Sequence, residues 1–367
     1  MNRREVLGGI AAGLTAGLAG CGYAYGTGDI RERQSLTGRS LFGIETQDVL
    51  RDGDRILVAK QRDNTIRPSL PDEDPPDSEI DLSAFDLNGE SQWEYSRAGT
   101  YTAATLAGAG AYLVDDGSRV EAVAPSGDDT EGEREWSAEL PDAGPPIAGS
   151  PELVAVTTSG GVAAVSERLL WERVVDDLQD LFVVGRATVI HTANRLRVID
   201  ESGTETYHRT GDDLLVTTDA ERLYLTDETE VWAVNPATGE RLWEQPAEGL
   251  WTTLTVEGEV LGLRSTSEVR TFETTGAPLW NADISTSSGS FLPAAEWGYY
   301  VPGCELHGFS PNGQRWNRDL TLCSSGGFCG DCQQVDGWID GELVWYLFES
   351  GDLICVQRTD QRRGLFW

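Results

Sequence analysis

Short runs of alternating apolar and polar residues, separated by turns rich in Gly, Asp, Pro and Ser, recur along most of the chain. One stretch contains four such runs in succession, at residues 100–107, 111–115, 119–124 and 135–140. Alternation with a period of two is typical of a half-buried β-strand. Long amphipathic stretches are scarce, and the 42 Gly residues favour many tight turns. The pattern therefore predicts an all-β fold.

A longer period is superimposed on these strands. A strand-like run is followed by a turn that ends in Gly and, about four residues later, by an aromatic residue, most clearly at residues 231–243. The aromatic residue returns at intervals of 35 to 43 residues, at Trp93, Trp136, Trp171, Tyr207, Trp243, Trp280 and Trp316. A fixed period of this size indicates repeated units that must stack to bury their faces. Because each unit contains four short strands, the sequence predicts the blades of a β-propeller.

The number of blades follows from counting these units. Seven units carry the aromatic residue, and an eighth with a degraded signature is visible at residues 341–349, 351–358 and 364–367. We therefore predict eight blades of four antiparallel strands, with seven blades as the alternative. Since an open edge strand invites aggregation, a strand at residues 41–49 or at 365–367 is expected to close the ring.

The N-terminus has the pattern of an export signal. Arg3 and Arg4 precede the small, apolar residues 8–20, and Leu-Ala-Gly comes directly before Cys21. The two arginines resemble the twin-arginine export signal, and the residues up to Cys21 resemble a lipobox, whose cysteine carries the lipid.

These features divide the chain into three parts. We expect a signal peptide at residues 1–20, a lipidated tether at 21–39 and the propeller at 40–367. This organisation predicts a mature protein on the outer face of the cell membrane, with the membrane bound through the lipid on Cys21.

The charge balance excludes one class of partner. The chain has 61 Asp and Glu residues against 28 Lys and Arg residues, a formal net charge of -33. A protein that binds nucleic acid by neutralising phosphates needs the opposite balance, so no nucleic-acid partner is expected. Because concentrated salt screens the repulsion among so many carboxylates, the composition predicts a protein from a halophile.

The unit Val-x-Ala-Val-x-x-x-Thr-Gly-x-x-x-Trp at residues 231–243 resembles the PQQ-like, or quinoprotein-type, propeller repeat. The resemblance extends over about residues 40–367 and is strongest in units five to seven. It implies that the seven recurrent aromatic side chains pack between neighbouring blades.

The resemblance leaves two functions open. Quinone-dependent members of this superfamily hold PQQ and Ca²⁺ in the central channel beside an Asp base and two adjacent cysteines. This chain has no adjacent cysteines, so we expect no catalytic residue and no cofactor, with PQQ and Ca²⁺ as the alternative. The isolated His191, His208 and His307 are interpreted as structural.

Together with the lipobox, the repeat also resembles the outer-membrane assembly lipoproteins of bacteria, here in a halophilic archaeon. This resemblance implies a monomeric, non-enzymatic binding or assembly scaffold with an unidentified protein partner. The alternative is a quinone-dependent or thiol-redox oxidoreductase.

The other five cysteines lie within the last 64 residues, at Cys304, Cys323, Cys329, Cys332 and Cys355. Outside the cytoplasm such a concentration favours disulfides. The repeat alignment places Cys304 and Cys323 on the same face of neighbouring blades, where they could pair. Cys329 and Cys332 form a Cys-x-x-Cys that could be a local disulfide, a redox pair or, with the other two, a tetrathiolate metal site. Cys355 is expected on a buried strand.

We expect Cys21→Ser to move the protein from the membrane fraction to the soluble fraction, because serine offers no thiol for lipid attachment. Fractionation of membranes followed by immunoblotting measures this change. Thr27→Ser, in the predicted tether, is the matched control and should stay with the membrane. A Cys21→Ser protein that remains in the membrane would reveal a different anchor.

Overall fold

A computed structural model describes residues 29–36, 44–63, 78–116, 119–127, 130–284, 290–301, 305–312, 315–319, 334–340, 343–348 and 352–357. Several predicted features lie outside these residues. They are the signal peptide, the C-terminal segment 364–367, and Cys21, Cys304, Cys323, Cys329 and Cys332. Within the described part, 32 strands form eight four-stranded antiparallel sheets.

In chain order the strands are β1 (Asp29–Ser35), β2 (Ile44–Asp52), β3 (Arg55–Asp63), β4 (Ser78–Asp86), β5 (Ser91–Ala98), β6 (Tyr101–Ala107), β7 (Gly110–Asp115), β8 (Arg119–Pro125), β9 (Gly132–Glu139), β10 (Gly144–Ser150), β11 (Leu153–Thr158), β12 (Gly161–Val165), β13 (Leu169–Arg173), β14 (Leu178–Val184), β15 (Ala187–Thr192), β16 (Arg195–Ile199), β17 (Glu205–Thr210), β18 (Leu215–Thr218), β19 (Leu223–Thr226), β20 (Glu230–Val234), β21 (Arg241–Pro246), β22 (Thr253–Glu257), β23 (Val260–Arg264), β24 (Glu268–Glu273), β25 (Pro278–Asp283), β26 (Ser290–Pro293), β27 (Gly298–Val301), β28 (Glu305–Phe309), β29 (Arg315–Asp319), β30 (Gln334–Asp340), β31 (Leu343–Phe348) and β32 (Asp352–Gln357).

Consecutive groups of four strands form blades 1 to 7, from β2–β5 in blade 1 to β26–β29 in blade 7. The first strand of each blade is innermost, and β2 lies beside β30 so that the ring is closed. The predicted eight-bladed propeller is confirmed, and the alternative of seven blades is wrong. The eighth unit begins earlier than the sequence pattern indicated, because β30 supplies its innermost strand.

The strand that closes the ring is neither of the two predicted. Blade 8 has the order β30-β31-β32-β1, and β1 pairs antiparallel with β32 from Asp29 opposite Gln357 to Ser35 opposite Asp352. Residues 41–49 overlap β2, the innermost strand of blade 1, which already has its place in another sheet. The closing strand instead comes from the segment predicted as tether. It pairs the first described strand of the chain with the last one in a single sheet.

Strand direction defines two faces of the ring. We call the face at which each innermost strand begins the top face, and the opposite one the bottom face. Strands alternate in direction within a blade, so β1, the outermost strand of blade 8, runs from the bottom face to the top face. Asp29, where β1 begins, therefore lies at the bottom face.

The hydrophobic core lies between the blades. Strands β12 and β19, in the middle of their sheets, are buried on both sides and have nearly continuous apolar sequences. The outer strand β21 alternates between half-buried and exposed residues, as expected where only one side is covered. At the junction of blades 4 and 5, for example, Val189 and Val198 pack with Leu223.

The Gly and Trp of the repeat form one interlocking contact between neighbouring blades. Gly276 of blade 6 has φ +94°, and a Cβ placed on it would lie 2.7 Å from Cδ2 of Trp243 in blade 5. The Trp243 indole N–H in turn donates to the Thr274 carbonyl in blade 6, at 2.9 Å. Gly203 and Trp171 meet in the same way at the junction of blades 3 and 4. Glycine is needed because the turn has a left-handed conformation and the ring leaves no room for a side chain.

The other recurrent aromatic residues also lie at blade junctions. The indole N–H groups of Trp93 and Trp280 donate to Ala109 and Ala294 of the following blades, both at 3.0 Å. The Tyr207 hydroxyl accepts a hydrogen bond from the Trp232 indole N–H of blade 5 at 3.3 Å. Trp136 packs against the hydrophobic cluster shared by blades 2 and 3. The side chain of Trp316 lies outside the described residues.

We expect Gly276→Ala to lower the free energy of unfolding by about 1 to 3 kcal/mol more than Gly258→Ala does. Both glycines have positive φ, so both substitutions strain the backbone by about 1 kcal/mol. A Cβ at Gly258 meets nothing within 4 Å, whereas one at Gly276 collides with Trp243. Denaturant unfolding of the two variants separates the two effects. Equal losses would mean that the Gly–Trp contact adds nothing to ring stability.

Candidate functional site

The top face carries a repeated acidic connection between blades. Asp142, Asp177 and Asp213 each precede an innermost strand and have φ of 61°, 56° and 59°. Among non-glycine residues, Asp is one of the few that tolerate this left-handed conformation. All three residues are exposed, so the repeat places carboxylates at regular intervals on this face.

The next connection, between blades 5 and 6, departs from this pattern. Gly249, with φ +157°, stands where the others have Asp, and the residue that follows it is Leu250. Counted from the recurrent aromatic residue, Leu250 matches Ala143 and Leu214, which are 4% and 6% exposed and fill the gap between blades, but the connection from Gly249 to β22 is two residues longer than that from Asp213 to β18. Leu250 is 75% exposed. The chain has turned this apolar side chain outward.

A cleft with a volume of about 250 Å³ opens beside Leu250. We call it the blade 5–6 cleft, and it is lined by Asp213, Leu215, Thr226, Asp227, Glu228, Leu250, Trp251 and Thr252.

Backbone hydrogen bonds fix the walls of this cleft. Ala247 N donates to the Thr229 carbonyl at 2.9 Å, and Gly249 N donates to the Glu228 carbonyl at 3.0 Å. The Trp251 indole N–H donates to the Ala247 carbonyl at 2.6 Å. The connection between blades is thus fastened to the hairpin between β19 and β20.

The carboxylate of Asp227 is held in place by its neighbours. Its oxygens accept hydrogen bonds from the Thr229 backbone, the Thr229 hydroxyl and the Glu230 backbone, and it pairs with Arg209 at 3.2 Å. Burial raises the pKa of Asp227, but the donors of Thr229 and Glu230 and the charge of Arg209 more than offset it. The pKa is therefore below the ordinary value and the group stays ionised at neutral pH.

Two further carboxylates of the cleft are uncompensated. Asp213 and Glu228 are both exposed, and neither forms an ion pair with any residue that the structure describes. Since Arg209 offsets Asp227, the cleft has a formal charge of about -2 beside the exposed Leu250 and the half-buried Trp251.

A second cluster of charges lies near the central channel. Arg51 of β2 reaches Glu257 of β22 at 3.4 Å and Asp336 of β30 at 3.2 Å, and it donates to the Gly337 carbonyl at 3.4 Å. Its guanidinium also lies 4.8 Å from the ring centre of Trp338. The cluster thereby joins blades 1, 6 and 8.

Both acidic members of this cluster are unusual. Burial raises the pKa of Glu257 and of Asp336, and the attraction of Arg51 offsets only part of that effect. One guanidinium serves two carboxylates that have lost much of their hydration, so removing a proton from either is harder than in water.

Each of the three histidines that the sequence singled out lies beside one carboxylate. The distances are 2.9 Å from His191 Nδ1 to Asp180, 3.3 Å from His208 Nδ1 to Glu205 and 3.1 Å from His307 Nε2 to Glu305. In the described ranges, no group of three or more His, Cys, Asp or Glu residues is arranged to hold a metal ion. Cys355 is buried in blade 8, and the other cysteines lie outside those ranges.

Sequence reasoning missed both the cleft and the Arg51 cluster. The acidic residues at 142, 177 and 213 recur at intervals of 35 and 36 residues, and this spacing could have identified the top-face connections. The break in that pattern at Gly249 could have marked the cleft. Nothing in the sequence pairs Arg51 with residues more than 200 positions away.

Within the described residues, no helix has the length and apolar character needed to cross a membrane.

Comparison with known proteins gives a fold relationship. Residues 208–321 match the family model of the outer membrane protein assembly factor BamB. BamB from Moraxella catarrhalis has a TM-score of 0.55 at 14% identity, with 90% of this chain and 98% of that chain covered. No curated protein matches the sequence significantly.

Two other solved structures are less similar. AztD from Citrobacter koseri has a TM-score of 0.48 at 12% identity and covers 73% of this chain and 86% of its own. Sqt1 from Saccharomyces cerevisiae has a TM-score of 0.47 at 9% identity and covers 83% and 93%. The chain is thus a BamB-like β-propeller in fold, and the part that matches the family model contains the whole blade 5–6 cleft.

We expect Asp336→Asn to gain stability relative to the unchanged protein as the pH rises from about 4 to 7. A carboxyl whose pKa is raised by folding favours the folded state at low pH, and this contribution is lost as the pH rises through the folded pKa. Asparagine does not titrate, so the variant does not lose this contribution to stability as the pH rises. Melting temperatures measured across this range at constant salt give the difference between the two proteins.

Asp200→Asn is the control with the opposite sign. The hydrogen bond from the Ser202 hydroxyl, with the backbone N–H donors of the same turn, lowers the pKa of Asp200. The stability that its ionised form contributes is present above the ordinary pKa and is lost as the pH falls through the lower folded pKa, so from pH 4 to 7 Asp200→Asn should change little relative to the unchanged protein. Parallel pH profiles for both variants would contradict the assignment of the Arg51 cluster.

Proposed function

We propose that this protein is a non-enzymatic binding scaffold on the outer face of a cell membrane, held there by a lipid on Cys21. It receives a segment of a partner protein on the top face of its propeller. The observation that carries this proposal is the blade 5–6 cleft, where an exposed Leu250 lies beside uncompensated carboxylates in a recess.

The properties of the cleft favour a binding function. Loops held on a rigid ring are suited to recognition because the ring fixes their positions. Pockets for cofactors and drug-sized ligands have volumes of about 300 to 1,000 Å³. At about 250 Å³ the cleft is smaller than these pockets and has room for individual side chains of a protein segment. The matching family model is that of an outer membrane protein assembly factor, and this supports a scaffold by analogy.

The path of the chain supports an orientation on the membrane. Seven residues separate Cys21 from Asp29, which begins β1 at the bottom face of blade 8. The eight peptide steps from Cys21 to Asp29 span at most about 27 Å when fully extended. A lipid on Cys21 therefore keeps the bottom face or the edge of blade 8 near the bilayer. We propose that the bottom face is the one near the bilayer, so that the top face, with the blade 5–6 cleft, is directed away from it.

A second membrane contact is proposed beside the first. Residues 358–367 follow Gln357, which is paired with Asp29, and they include Arg358, Arg362 and Arg363 as well as Leu, Phe and Trp. Basic and aromatic residues favour an anionic membrane surface, and one lipid chain alone gives only marginal binding.

A photo-crosslinking residue at position 250 should give a specific crosslinked product in native, high-salt membranes, because a partner on the top face covers this side chain. The same residue at position 242 is the matched control. Leu242 is 45% exposed but lies on the outer strand β21, so it should give no such product. Gel electrophoresis with mass spectrometry reads out both. Equal labelling at the two positions, or none at either, would contradict the proposed function.

A further inference from the structure

We infer that the blade 5–6 cleft binds an extended protein segment in which an arginine or lysine lies close to a bulky apolar side chain. This inference rests on the proposed function and specifies the chemistry of the partner at that site.

The apolar part of the partner is indicated by Leu250. At the equivalent position of the repeat, Ala143 and Leu214 are buried between their own blades, so burial there needs no second molecule. Leu250 is 75% exposed, and the half-buried Trp251 also lines the cleft. An apolar side chain placed on both would remove that surface from water.

Trp251 is fixed in a way that suits this contact. Its indole N–H is already used by the Ala247 carbonyl, and the Arg270 guanidinium lies 5.1 Å from its ring centre. Arg270 is itself paired with Glu268 at 2.6 Å. The ring can therefore serve as an apolar wall without leaving a polar atom to be satisfied by the partner.

The basic part of the partner is indicated by the two carboxylates that have no ion pair among the described residues. Asp213 and Glu228 come from different connections and both line the cleft. A guanidinium or ammonium group between them would be stabilised, whereas an acidic segment would be repelled. Asp227 adds little, because Arg209 already compensates it.

An extended segment fits the shape better than a folded surface. The cleft has room for a few side chains, and two earlier connections on the same face carry the exposed Asp142 and Asp177. A strand or loop crossing this face would meet one apolar position with negative charge around it. Since this face is directed away from the bilayer in the proposed orientation, the partner is a protein and not a lipid surface.

The inference can be tested on the full-length Cys21→Ser protein with three fluorescent peptides of equal length. The first has Leu and Arg in a Gly-Ser background, the second replaces Arg with Glu, and the third replaces Leu with Ala. Fluorescence anisotropy should show binding of the Leu/Arg peptide at least tenfold tighter than that of the other two. Equal affinities for the three peptides would overturn the inference.

Variants locate the binding site. Leu250→Ala should weaken binding of the Leu/Arg peptide about tenfold, and Asp213→Asn combined with Glu228→Gln should weaken it by a similar factor at low salt. The second effect should shrink as salt rises, because screening weakens ion pairs more than apolar contacts. Asp176→Asn, an exposed acid on the same face, and Leu242→Ala are matched controls and should change affinity less than twofold. Equal losses in the controls would overturn the assignment to this cleft.

A competition experiment separates this inference from the function on which it rests. If crosslinking from position 250 occurs and the Leu/Arg peptide suppresses it, both stand. If crosslinking occurs and the peptide has no effect, the scaffold function stands and the stated partner chemistry is wrong. If crosslinking is absent, the scaffold function fails whatever the peptide does. Binding of the cleft to anionic vesicles, lost in Leu250→Ala, would replace the protein partner with a membrane.

Discussion

The contact between an aromatic side chain of one blade and a left-handed glycine of the next is the constraint on which the ring depends. A single four-stranded blade cannot bury its middle strands, since both of their faces are apolar. The indole of Trp243 lies against Gly276 and donates a hydrogen bond to the same turn. One side chain thus sets both the distance and the rotation between two sheets. Repetition of this contact gives the ring its curvature.

Closing the ring requires a different interaction, because the first and last blades are not joined by a repeat. At the outer edge, β1 adds the fourth strand to blade 8 and ties together the two ends of the described chain. Near the axis, Arg51 connects blade 1 to blades 6 and 8 through Glu257 and Asp336. The side chains of Arg51 and Glu257 are 13% and 15% exposed and that of Asp336 is 39% exposed, so losing Arg51 would leave Glu257 as an uncompensated, largely buried charge. The cluster therefore favours the closed arrangement over one in which these blades are apart.

The candidate site lies where the repeat is broken. Connections on the top face bury an apolar residue between blades at Ala143 and Leu214, and the same position at Leu250 is exposed. Trp251 lies outside the series of recurrent aromatic residues and lines the cleft. A residue that departs from an otherwise regular repeat lowers local stability. Such departures are therefore expected mainly where function requires them. The short link from Cys21 to β1 adds a direction to this site, since it would hold the opposite face toward the membrane.

The sequence by itself determined the strands, the period of about 36 residues, the number of blades and the positions of the aromatic residues between them. These features depend on which neighbours a residue has within one repeat, and local periodicity encodes them. Only the tertiary structure decided that Asp29–Ser35 closes the ring, that Arg51 meets Asp336 across 285 positions and that Leu250 is turned outward beside Asp213 and Glu228. The sequence of β1 has one apolar residue among seven, so its pattern does not mark it as a strand of the ring. The other two arrangements arise from the summed rotations of several blades, which no short stretch of sequence records.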